Sequence, residues 1–68
     1  MEIDINFKPR DVEEKGLKYY YAGIKDYIKS NQSAIEYIES NHDYEWETWE
    51  QWFYEQGILD YERFLKER

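Results

Sequence analysis

With no cysteine to staple it, this chain of 68 residues can fold only around a core its own side chains fill. Rings are the obvious filler: three Trp, eight Tyr and three Phe are present. A length near 70 residues is close to the lower limit at which one hydrophobic core holds without disulfides or metal. A single domain spanning 1–68 is therefore expected, with aromatic side chains supplying most of the buried area. The missing thiols also exclude a cysteine nucleophile and a thiolate metal site. Disorder, the other reading of an acidic composition, does not fit so many rings.

The periodicity predicts a mainly α domain in the order β-α-α-α-α, with one N-terminal strand over residues 2–8 and three to four short helices. Met1, Ile3, Ile5 and Phe7 alternate with Glu2, Asp4, Asn6 and Lys8, the period of a half-buried strand. Pro9 ends it. Asp11 and Glu14 have capping-box spacing. Leu17, Tyr20, Tyr21, Ile24, Tyr27 and Ile28 then form one helical stripe. A competing reading makes residues 17–24 a second strand, but the helical spacing continues to Ile28. Ser33 and Glu36 form an S-x-x-E box opening a short helix that buries Ile35 and Ile38. Asp43 is placed to cap a third helix, with Trp46, Trp49, Trp52 and Phe53 on its core face and Glu47, Glu50, Gln51 and Glu55 opposite. Gly57 is placed to close it as C′, and Asp60 to cap a last helix burying Tyr61, Phe64 and Leu65.

A lone strand needs partners for its backbone. Three arrangements suit it: pairing with the same strand of a second copy as a homodimer, addition to a sheet edge on a target, or lying extended over the helices or pairing with a short stretch read here as helix.

The chain has no apolar run near the ~18 residues of a membrane span and no leader or lipidation pattern. A soluble, cytoplasmic protein is expected. Its net charge of −7 argues against binding nucleic acid or anionic membranes directly. That charge is unevenly placed. Residues 1–32 are neutral, while 30–62 contain nine acids and no Lys or Arg. From Glu36 to Glu62 the nine charges, were the chain there wholly helical, would fall one per ~4–5 Å, against one per ~3.4 Å along a single DNA strand. Such an array repels itself and costs stability, so a basic partner is the expected reason for it.

Catalytic chemistry has little material here. His42 is the only histidine, and Ser30, Ser33 and Ser40 sit where caps and turns want them. Glu39 and His42 share the E-x-x-H spacing of di-iron bundles, but one such pair does not make that site. No enzyme activity, cofactor or metal is expected. Tyr19, Tyr44 and Tyr54 fall off the apolar stripes and are expected to be partly exposed, where tyrosine beside carboxylates suits protein binding. The candidate partner-binding residues are Glu36, Glu39, Asp43, Tyr44, Glu45, Glu47, Glu50, Tyr54 and Glu55.

In size, acidity, aromatic richness and lack of catalytic groups, the chain resembles the small inhibitors that phages make against host DNA-binding proteins and nucleases. The likeness covers composition and charge layout, not aligned residues. It implies a nucleic-acid mimic whose carboxylates occupy a basic surface on another protein. The alternatives are a structural or oligomerisation module whose acidic face is merely solvated, and an antitoxin-like regulatory partner.

Overall fold

In a computed structural model of the chain, which describes residues 3–40 and 46–67, three helices form: α1 (Glu14–Ser30), α2 (Ala34–Ser40) and α3 (Thr48–Glu67). The mainly helical expectation holds, and the apolar stripe of α1 is its inward face. Tyr20 and Ile24 are fully buried, and Tyr21, Tyr27 and Ile28 pack partly buried around them. The residue preceding α1 is Glu13, in extended backbone with no side-chain cap bond, so the expected Asp11–Glu14 box is not used. At the other end Asn31 adopts the left-handed conformation at φ 59°, a conformation asparagine tolerates well.

Ser33 opens α2 as its spacing predicts, its hydroxyl accepting from the Glu36 amide at 3.2 Å. The buried residue of this helix is Ala34 rather than Ile35, which is 63% exposed. The Ala34 amide donates to Glu62 Oε2 at 2.7 Å. That bond turns the start of α2 onto α3 and leaves Ile35 on the outer side.

Two helices expected in the last third are one. α3 runs unbroken through Gly57 and Asp60, and both residues serve α1 instead of ending or starting a helix. A Cβ built on Gly57 would lie 2.2 Å from the Tyr20 carbonyl oxygen, and one on Gly23 would lie 2.2 Å from that of Tyr54. Each helix thus sets a bare glycine against the other's main chain. Glycine in a helix costs up to ~1 kcal/mol relative to alanine; here it permits close packing of Tyr20, Ile24 and Ile58, all fully buried. Contacts pair Gly16 with Phe53, Gly23 with Ile58 and Tyr27 with Glu62. They advance together along both helices, so α1 and α3 run in the same sense.

Residues 3–8 form no strand; Met1 and Glu2, the rest of the expected alternation, lie outside the described residues. The alternation is broken by a turn in which the Phe7 amide donates to the Asp4 carbonyl at 3.0 Å. The Asn6 amide donates to Asp4 Oδ1 at 2.8 Å. This is an Asx-stabilised β-turn with Asp at its first position. It throws Ile5 out to 96% exposure while Ile3 and Phe7 pack against Tyr20, Ile24 and Tyr61. The segment lies over the helices, tied by the Asp4 amide to Tyr61 Oη at 3.0 Å and the Arg10 amide to Tyr20 Oη at 3.1 Å. Pairing of two copies through residues 2–8 therefore has no strand to use among the described residues. Among those residues, too, no helix is long and apolar enough to cross a membrane.

Candidate protein-binding surface

Carboxylates in this chain do two different jobs, and the structure separates them. One group, the exposed Asp26 with the half-buried Glu50, Asp60 and Glu62, accepts from tyrosine hydroxyls. Tyr20 Oη donates to Asp60 Oδ2 at 2.8 Å, Tyr54 Oη to Asp26 Oδ2 at 2.7 Å, and Tyr27 Oη to Glu62 Oε2 at 3.2 Å. Tyr19 Oη donates to Glu50 Oε2. All four bonds bridge α1 and α3, so the buried rings of Tyr20 and Tyr54 and the half-buried ones of Tyr19 and Tyr27 keep their hydroxyls paired. Asp60 also takes Arg10 at 2.7 Å, with only 12% of its own side chain exposed. Glu62 in addition holds the Ala34 amide and Lys66.

The titration of these groups follows from their partners. Burial pushes the Tyr20 hydroxyl up to about 12 from its ordinary 10.0. Tyr54 is raised by burial and by its bonds to Tyr37 and Asp26. Tyr27 is raised by burial and the adjacent Glu62, and Tyr19 by its bond to Glu50. Glu50 is lowered by the Tyr19 hydroxyl and then by the Glu47 amide. Glu62 is lowered chiefly by the Ala34 amide. A carboxylate that accepts from donors in the folded state prefers its charged form, and a buried phenol its neutral one.

The second group faces outward. Glu36, Glu39 and Glu47 are exposed, and Glu55 is half-buried. No ion pair engages Glu36, Glu39 or Glu47 among the described residues. Glu47 precedes the first residue of α3, and its amide donates to Glu50 Oε1 at 2.9 Å. That bond is the return arm of a capping box. Its own carboxylate accepts the Trp49 indole N–H at 2.7 Å.

Of the nine expected binding residues, Glu36, Glu39 and Glu47 are thus available on the surface, with Glu55 partly so. Glu50 is half-buried with both its oxygens occupied, one by the Tyr19 hydroxyl and one by the Glu47 amide. Tyr54 is not available: it is 7% exposed, with its hydroxyl between Asp26 and Tyr37. Tyr19 is half-buried. Asp43, Tyr44 and Glu45 lie outside the described residues, as does His42. Gln51, expected opposite the core, is buried, and its Oε1 has no partner among the described residues.

The tryptophans make the reverse correction. Trp49 and Trp52, expected in the core, are 38% and 48% exposed, and with Glu47 and Thr48 they line an open groove of about 550 Å³. Phe53 and Tyr61 are buried as expected, and Tyr54 and Ile58 join them in the interior. Reading 48–67 as one helix reveals the signal: Phe53, Gly57 and Tyr61 with Tyr54 and Ile58 form a continuous stripe through its middle, and Trp52 lies beside it.

Comparison with protein families, with curated proteins and with solved structures finds no match to this chain.

Proposed function

We propose that this chain is a small acidic binding module, not an enzyme, that docks on the basic surface of a nucleic-acid-binding protein or nuclease. Its carboxylates would stand where phosphates stand in that protein's own ligand. The observation that carries this reading is the outward set of Glu36, Glu39 and Glu47, free of ion pairs among the described residues. They sit within a stretch, 30–62, that has no Lys or Arg to neutralise them. The tyrosine-paired acids have a structural reason to exist; of the outward three, Glu47 holds the Trp49 indole, and no side-chain bond of Glu36 or Glu39 gives those two one among the described residues. An uncompensated field of one sign raises the encounter rate with a surface of the other sign and is screened by salt.

The test is capture of basic partners from lysate by the immobilised chain at low and high ionic strength, beside a Glu36→Lys/Glu39→Lys variant. Capture is expected to fall with salt and with the double reversal, while circular dichroism is unchanged, since both residues are exposed. Capture indifferent to salt removes the electrostatic basis of the reading. Glu50 is left intact in this design because reversing it would dismantle the α3 cap.

A further inference from the structure

The groove at the start of α3 combines features that the acidic surface alone does not account for. Trp52 is among the most exposed large apolar side chains of the described residues. Its ring is steadied edge-on by Phe53, centroids 5.0 Å apart, and Phe53 itself is 8% exposed. Trp49 is fixed by its indole bond to Glu47. The Trp49 ring already receives a cation from within the chain, Lys15 Nζ lying 5.4 Å from its centroid, within cation–π range, which leaves the Trp52 face for an incoming one. An open groove on one helical turn does not enclose a small molecule to the extent such ligands need. A side chain projecting from a protein surface is a better match.

We propose that Trp52 and Trp49, with the Glu47 carboxylate beside them, form the subsite for an arginine side chain of the partner. The proposal rests on the reading above that the partner's surface is basic. Charge complementarity selects the occupant. Glu47 Oε2 is held by the Trp49 indole, and no bond engages its other oxygen among the described residues. A guanidinium stacked on the Trp52 face can direct N–H groups at that oxygen, whereas an ammonium can do so only as a point charge. Aromatic anchors of this kind carry a disproportionate share of binding energy at protein interfaces.

The experiment follows the tryptophan indole N–H resonances of the ¹⁵N-labelled chain during titration with a nona-arginine peptide and, separately, a nona-lysine peptide. The Trp49 and Trp52 signals are expected to move while Trp46 stays, with the arginine peptide bound about fivefold more tightly. Trp52→Leu is expected to weaken arginine-peptide binding about tenfold with circular dichroism unchanged. Glu47→Gln, which keeps an oxygen for the Trp49 indole, should reduce the preference for arginine over lysine.

If both peptides bind in a salt-sensitive way and Trp52→Leu binds as tightly as the parent chain, this subsite is wrong while the acidic-module reading stands. If neither peptide binds, both fall. Concentration-dependent self-association of the parent chain that Trp52→Leu abolishes would assign the ledge to a second copy and overturn the proposal.

Discussion

Tyrosine is the residue on which this fold turns. Tyr20 and Tyr54 place their rings in the interior and Tyr27 its ring at the edge of it, each with a hydroxyl on a carboxylate from another helix. Removing a hydroxyl takes away one bond to a charged acceptor, a larger loss than that of a neutral surface hydrogen bond, although Asp60 keeps Arg10 and Glu62 keeps the Ala34 amide. The same pairs set the pH range of stability. Tyr20 keeps its proton to about 12 in the folded chain against 10.0 ordinarily. Its contribution is therefore fully present below pH 10 and is lost progressively as pH rises from there to about 12. Glu50 and Glu62 are lowered from 4.5, so theirs is present above that value and is lost as pH falls below it. Thermal midpoints followed by circular dichroism are expected to be level between those limits and to fall on either side. A midpoint that declines steadily from neutral pH to 10 would contradict the pairing.

Among the elements, α1 and the Ser33 cap were legible from spacing alone, because both are local: a stripe along one helix and a hydroxyl three residues from its amide. The continuity of α3 was not. Gly57 is an equally good helix terminator or point of close approach, since both uses need only the missing Cβ. The deciding neighbour, the Tyr20 carbonyl, is remote in sequence. Closing the helix there also displaced the stripe, which put Trp49 and Trp52 in the core and Tyr54 at the binding face. Alternation in the first residues could not register the Asp4 side chain capturing the Asn6 amide. The glycine geometry makes an ordered prediction. Gly23→Ala and Gly57→Ala each drive a Cβ into main chain and should destabilise by about 1–3 kcal/mol, outweighing the ~1 kcal/mol that alanine gains in helix propensity. Gly16→Ala meets a side chain rather than main chain, the Phe53 ring at 2.6 Å and less tightly than the 2.2 Å of the other two, and should be the mildest of the three in urea denaturation. A stabilised Gly57→Ala chain would mean that the helices do not meet there.

At the scale of the whole molecule, the acidic surface rests on supports of unequal firmness. α2, with seven residues and Ala34 as its buried member, is far shorter than a helix that stands alone in water. It carries Glu36 and Glu39. Native-state hydrogen exchange is expected to show α2 amides opening well before those of Tyr20, Ile24 and Ile58. Exchange of α2 only through global unfolding would refute that division. The ledge of Trp49 and Trp52 belongs to the firmer part. At the crossing of α1 and α3, each glycine faces a carbonyl, and the next residue after each glycine is an isoleucine, Ile24 or Ile58, fully buried. A slip of one residue in either direction would bring a side chain to a place where only a hydrogen fits. The two helices therefore have no neighbouring register in which to rest, as a key has none in a foreign lock. They can be together in this one alignment or apart, and the pair should be lost in a single step.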